Sequence, residues 1–499
     1  MNERSYGVLL PIFSLPSPYG VGTLGKEAFA FVDFLHDAGA RWWQVLPLGP
    51  TGYGDSPYQS VSSAAGNPYF IDWDLLIEDG LLKRVEVAAC DWGGNPQYVD
   101  YGKQYENRFR LLQLACDRGW ARDAEKIAAF RREHAAWLDD YALYMALKRH
   151  FAMQPWTAWE EPIRMRKPEA LAAYRVQLAG DIRLFTYIQF LFYTQWDALR
   201  AYAHEQGIRL LGDLPIYVPL DSADVWASPE NFLLDEKNLP KAVAGVPPDY
   251  FSEDGQLWGN PLYDWDAMRH DGFGWWIRRI DAAAKCYDAI RIDHFRAFAS
   301  YWAVPADAKS AKRGKWMTGP GMSLIGVLTG WFPQLRFLAE DLGVLTDDVR
   351  TLLQDSKLPG MKVLQFAFDD TEKSDYLPHN HVQNCACYTG THDNEPLAAW
   401  AAGASKKEAA FACEYLGCKR REELPEAMLR AGMQSTAGLF IAQMQDFLGL
   451  GAESRVNTPG VASGNWQWRM TKGAATKTLA KTMARMAKIY GRAAETEEE

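Results

Sequence analysis

Asp288-Ala289-Ile290-Arg291-Ile292-Asp293-His294-Phe295 is the stretch on which the fold turns. An apolar, β-branched run breaks off abruptly in charge. Ile290 and Ile292 alternate with Ala289, Arg291 and Asp293, the period-two pattern of a strand. Arg291 and Asp293 then project to one side and the two isoleucines to the other. A carboxylate beside a fixed cation at a strand end is expected to stay ionised at neutral pH, because the positive charge favours its charged form. That is the state a carboxylate nucleophile requires. A structural ion pair is the alternative reading, since ion-pair networks also perturb acidity.

Seven more stretches read as short strands: 8–11, 42–48, 208–218, 337–343, 361–368, 386–393 and 438–445. Helical periodicity lies between them, as at 26–38, where Ala28, Phe31, Phe34 and Leu35 share a face, and at about 272–284. Strands alternating with helices predict a parallel sheet. Eight of them close a (β/α)8 TIM barrel, an α/β fold. The 499 residues read as one catalytic barrel, 1–499, whose excess length sits in large, mainly helical insertions. Stretches 101–116, 124–151 and 180–206 have helical spacing. A loop and helical subdomain is therefore expected at about 50–130 and a helical one at about 131–205. The stripe Phe185, Ile188, Leu191, Phe192, Trp196 reads as core rather than as a ligand box. A last helix at about 474–490 precedes a tail ending Glu497-Glu498-Glu499, expected to fray.

Composition narrows the function. Apolar residues make up 48% and charged residues 23%, ordinary for a globular chain with ample core. The net charge is −10 with no basic stripe, which argues against nucleic-acid binding. The seven cysteines are irregularly spaced, as expected for free thiols in a reducing compartment. Cys385-Ala386-Cys387 is too tight for a usual zinc pair. The start lacks a signal-peptide apolar region and no apolar run reaches about 18 residues, so no membrane association is expected and the location is expected to be cytoplasmic. Twenty tryptophans suit sugar binding: a flat apolar ring covers a pyranose C–H face while the indole N–H reaches a hydroxyl.

Two long Gly/Pro loops carry aromatic groups. The first is Pro50-Thr51-Gly52-Tyr53-Gly54-Asp55-Ser56-Pro57-Tyr58-Gln59, at the end of a strand, where barrels place their sites. The second runs from 244 to 265 and includes Asp249-Tyr250-Phe251 and Leu257-Trp258-Gly259-Asn260-Pro261. Asp213 is a carboxylate in an apolar run, either a buried structural group or part of a site. The fourth, fifth and seventh strands end in Asp293, Glu340 and Asp393, and a barrel brings those ends to one mouth. Glu340 and Asp341 are consecutive on a strand, so only one can face that mouth. Two carboxylates across a scissile bond are the minimum for glycoside chemistry, one ionised and attacking, the other protonated under the leaving oxygen. Asp293 has the cation and reads as nucleophile. Glu340 follows Phe337-Leu338-Ala339, whose apolar surroundings raise its pKa toward the acid role. Asp393 is left to hold sugar hydroxyls.

Arg291-Ile292-Asp293-His294-Phe295, Ala339-Glu340-Asp341-Leu342-Gly343, Gly390-Thr391-His392-Asp393-Asn394 and Gly212-Asp213-Leu214-Pro215-Ile216-Tyr217 resemble conserved regions of the α-amylase superfamily. Within it, the 50–59 loop and Leu257-Trp258-Gly259-Asn260-Pro261 resemble the amylomaltase, or 4-α-glucanotransferase, family, and the likeness runs from about residue 6 to Arg469. Glu395 departs from the Asp that many members carry there. The resemblance implies Asp293 as nucleophile, Glu340 as acid/base and Asp393 as transition-state stabiliser, with Tyr58, Asp213, Arg291 and His392 around the sugar. It places Trp258 in a substrate-covering insertion at about 219–270. It implies α-1,4-glucans and maltooligosaccharides as donor and acceptor, no cofactor and no metal, and a monomer or weak homodimer. The implied activity moves an α-1,4-glucan segment to the 4-hydroxyl of an acceptor. A hydrolase of the same fold is the alternative.

Overall fold

The computed structural model describes residues 4–494 except 53, 249–252, 344, 370–373 and 462. Tyr53, Asp249, Tyr250, Phe251 and the tail 497–499 lie outside the described residues. In chain order the strands are β1 (Ser5–Leu9), β2 (Trp42–Gln44), β3 (Arg209–Leu214), β4 (Ala242–Val246), β5 (Gln256–Pro261), β6 (Ala289–Ile292), β7 (Ser300–Pro305), β8 (Lys315–Thr318), β9 (Arg336–Ala339), β10 (Gly360–Val363), β11 (Cys385–Tyr388) and β12 (Leu439–Gln443). Eight of these make one parallel sheet in the order β10-β11-β12-β1-β2-β3-β6-β9. Each strand lies beside its predecessor among the eight, and β12 returns to β1. Its two edges meet where the Ala339 N–H donates to the Pro359 carbonyl at 2.9 Å. The result is the expected (β/α)8 barrel.

Alternation along each strand decides what fills the barrel and what holds the helices. Leu9, Trp42, Leu211, Ala289, Leu338 and Ile441 belong to a fully buried inner cluster. Val8, Trp43, Leu210, Ile290 and Phe337, one position away, join the larger core beneath the helices. Gly212 is fixed by packing, because a Cβ there would sit 2.3 Å from the Tyr287 ring.

The strands are shorter than the sequence suggests. Pro215 follows β3 directly, and Leu364–Phe366 form a 3-10 turn straight after β10. Gln445, read as the end of a strand, belongs with Asp446 to the helix Met444–Leu448. The first strand starts earlier than expected, at Ser5, because Tyr6 and Gly7 pair with β12.

Helices fill the passage from β2 to β3, including Tyr101–Gly119, Ala124–Glu133, Leu138–His150 and Ala179–Glu205. The single helix expected over 124–151 is two. Between them His134 and Trp137 turn in to pack against Tyr193, at 4.6 and 6.0 Å between ring centres. The stripe from Phe185 to Trp196 is buried, as read. A feature the sequence reading lacked is a second, antiparallel sheet, β5-β4-β7-β8, built from chain on both sides of β6.

Candidate active site

Register sets the site. Asp213 in β3 lies opposite Arg291 in β6, and Ile292 opposite Ala339 in β9. Asp293 and Glu340 therefore leave the barrel at one level. The Asp293 N–H donates to the Leu214 carbonyl and the Glu340 N–H to the Ile292 carbonyl, each at 3.0 Å. Asp393 arrives from the loop after β11. Asp446, buried, braces that loop: it accepts from the Thr389 hydroxyl at 2.6 Å and from the Leu397 N–H at 2.7 Å.

Tyr58, Trp258, Asp293, Glu340, His392 and Asp393 line one cleft of about 380 Å³ at the C-terminal ends of the barrel strands. Asp213 and Arg291 lie under its floor, with side chains 0% and 4% exposed, whereas that of Asp293 is 30% exposed. All eight residues singled out from the sequence thus converge. Asp341 turns away, accepting from the Met361 N–H at 2.6 Å, so Glu340 alone of the pair faces the cleft.

Arg291 is shared. One of its NH groups donates to both oxygens of Asp213 at 2.8 Å and to Asp293 at 3.0 Å. Against the pull of burial, Asp213 and Asp293 hold its pKa well above the ordinary value. The expectation that this one cation keeps Asp293 fully ionised needs correction. Burial pushes Asp293 up to about 7; Arg291 pulls the other way, while Asp213, Glu340 and Asp393 add to the rise. Burial also raises Glu340, although its oxygens accept from the His294 N–H at 2.7 Å and the Leu342 N–H at 2.9 Å. Burial thus raises both carboxyls, and like charges in one pocket favour a state with a proton on one of them.

The Tyr58 hydroxyl donates to Asp213 at 2.9 Å, and its ring stacks on His392, 5.0 Å between centres and 16° from parallel. His392 Nε2 lies 3.3 Å from Asp393. Across the cleft Trp258 stands edge-on to His294 at 4.8 Å.

Four contributors were not singled out beforehand. Asn457 donates from Nδ2 to Asp393 at 2.6 Å. Arg455 donates to the Asp393 carbonyl at 2.7 Å and pairs with Glu395 at 3.2 Å. Trp466 lies 5.8 Å from both the Tyr58 and His392 rings, at φ 63°, which is uncommon for a bulky residue. His294, also left-handed at φ 52°, turns its N–H onto Glu340. The Asn-Thr-Pro-Gly and Gly-Asn-Trp runs at 457–466 have the same Gly/Pro/aromatic character as the two loops that were noticed, so a signal was present.

Comparisons agree with this geometry. The 4-alpha-glucanotransferase family profile matches residues 10–476. A 4-alpha-glucanotransferase of Thermus thermophilus is 48% identical over 482 residues, covering 94% of this chain and 95% of the relative. One from Clostridium butyricum is 43% identical over 483 residues, 96% of this chain and 99% of the relative. The solved amylomaltase from Streptococcus agalactiae in complex with acarbose superposes with a TM-score of 0.96 at 40% identity, covering 98% of this chain and all of that one. Sequence, barrel and relatives together place this chain in the 4-alpha-glucanotransferase family.

Proposed function

We propose that the enzyme transfers α-1,4-glucan segments by a retaining double displacement through a β-glucosyl-enzyme. Asp293 attacks the anomeric carbon while Glu340 protonates the leaving oxygen. Glu340, now a base, takes the proton of an incoming 4-hydroxyl, and the α-linkage is restored. Asp393, held by Asn457, takes the sugar hydroxyls and binds them more tightly as the ring flattens. Arg291 and Asp213 fix the floor, with Tyr58 and His392 forming a stacked wall beside it. The observation that carries the reading is the pairing of Asp293 with Glu340, two cleft carboxyls both raised by burial, one beside a cation and one accepting from two backbone N–H groups. The region at about 219–270, with Trp258 on β5, covers the glucan. Its aromatic surface favours a sugar acceptor over water.

The test is a product profile with maltotriose as sole substrate, resolved by chain length over time. Glucose plus a ladder of products longer than the substrate supports transfer. Glucose and maltose alone would mean hydrolysis. The Asp293→Ala variant is expected to be folded and to lose turnover; substantial residual activity would remove Asp293 from the nucleophile's role.

A further inference from the structure

Helix Lys406–Leu416 ends in a hydrogen-bond pattern that brings two particular side chains together. Gly417 takes φ 71°, and the Cys418 N–H donates to the Cys413 carbonyl at 3.0 Å. This is the Schellman arrangement, in which the third residue from the helix end and the second residue past it meet, usually as an apolar pair. Here both are cysteines. The direct backbone bond keeps their Cα atoms on the short scale, roughly 4.4–6.8 Å, that a disulfide spans. Both residues are half-buried at the edge of the core. Cys418 opens onto a surface cleft of about 690 Å³ that Tyr415, Gly417 and Glu423 also line. Cys116, Cys286, Cys385 and Cys387 are buried, and the Cys90 sulfur accepts from Arg110 at 3.0 Å.

We propose that Cys413 and Cys418 form a dithiol–disulfide site, oxidised by small organic disulfides of the glutathione type. The Cys418 thiolate attacks one sulfur of the donor, expels one donor thiolate and leaves a mixed disulfide. The Cys413 thiolate then attacks the Cys418 sulfur, forming the internal bond and expelling the second donor thiolate. Two protein thiols are oxidised, one donor disulfide becomes two thiols, and these take up the two protons. Burial, with the Cys413 thiol beside it, pushes Cys418 up to about 11. Thiolate is then scarce at neutrality, and the oxidation rate rises about tenfold per pH unit over the range 7–9. The bond closes the end of a helix whose Phe411 and Tyr415 pack on Phe368, 6.1 and 5.8 Å between ring centres.

The full chain is incubated with oxidised glutathione at mildly alkaline pH, alkylated and mapped by mass spectrometry. The expected result is one internal disulfide joining Cys413 to Cys418, reversed by excess dithiothreitol. The C413S variant is expected to accumulate a glutathione adduct on Cys418 and no internal bond. Overturning results are both thiols alkylated throughout, stable adducts on the unmodified chain without an internal bond, or oxidation of Cys90 ahead of the pair. The map of the unmodified chain alone decides, so the outcome does not depend on how the variant folds.

Discussion

At the residue scale the buried cation Arg291 faces more than one carboxylate. Burial raises Asp293 to about 7, and Arg291, which gives Asp213 two hydrogen bonds and Asp293 one, opposes that rise only in part. The proposed nucleophile must be ionised and the proposed acid protonated. As pH falls through the raised Asp293 value the nucleophile is lost, and as pH rises the pair loses its shared proton. A plot of kcat/KM against pH is therefore expected to be bell-shaped, its acid limb near 7 instead of near the ordinary aspartate value of about 4. A limb that stays near 4 would show that Arg291 prevails over burial. The Asn457 amide makes a short bond to Asp393, and hydrogen bonds to charged groups contribute about 1.5–3 kcal/mol. Asn457→Ala is expected to lower kcat by about 10- to 100-fold with a smaller change in KM. Asn457→Asp should lower it further, because like charges then face each other. Equal losses in both variants would point to misfolding of the 455–466 loop rather than to a lost grip on Asp393.

At the element scale, what could be read from sequence follows from how each element is stabilised. The barrel strands were visible because both faces are buried, which leaves continuous apolar runs such as Phe337-Leu338-Ala339. Their ends were harder to place. Asp293, Glu340 and Asp393 follow the ladder rather than belong to it, and the residues after β3 and β10 stay apolar although the pairing has stopped. Sheet β5-β4-β7-β8 was missed for the opposite reason. β5 is exposed at Gln256, Leu257 and Gly259 and is interrupted by that glycine, at φ 78°, so Gln256–Pro261 resembles a loop. Its pairing partners are also far apart in sequence: β4 joins β7 across the whole of β6. This sheet gives Trp258 a firm support from which to meet His294 and Tyr217. In the proposed mechanism a rigid aromatic cover biases the glycosyl-enzyme toward sugar acceptors. Trp258→Ala is accordingly expected to raise the ratio of hydrolysis to transfer several-fold, measured on maltotriose as new reducing ends against products longer than the substrate. An unchanged ratio would detach Trp258 from acceptor choice and leave it as wall.

At the scale of the whole molecule, the eight-strand count and the meeting of three distant carboxylates were legible because a barrel converts sequence order into a ring of strand ends. The helical passage from β2 to β3 was legible as helix but not in its packing, and His134 shows why. Nothing local marks it as a break, and only the folded chain brings it against Phe130 and Tyr193, at 4.3 and 4.6 Å between ring centres. That packing has a consequence for stability. Burial holds His134 down to about 4, so the unfolded chain binds a proton there that the folded chain refuses over the interval from about 6.5 to 4. Stability is complete above the upper value and is lost as pH falls, by at most about 1.4 kcal/mol per pH unit for each such group. His381, also held near 4 by burial, acts in the same direction. Asp446, raised to about 6, acts in the opposite one, since the folded chain keeps its proton and stability falls as pH rises through that value. His134→Phe keeps an aromatic ring in the cluster and removes the titration. Its Tm is expected to drop less than that of the unmodified chain between pH 7 and 5, with little difference at pH 7. Parallel Tm curves for the two proteins would mean that the acid loss originates at other groups, with His381 the next to replace.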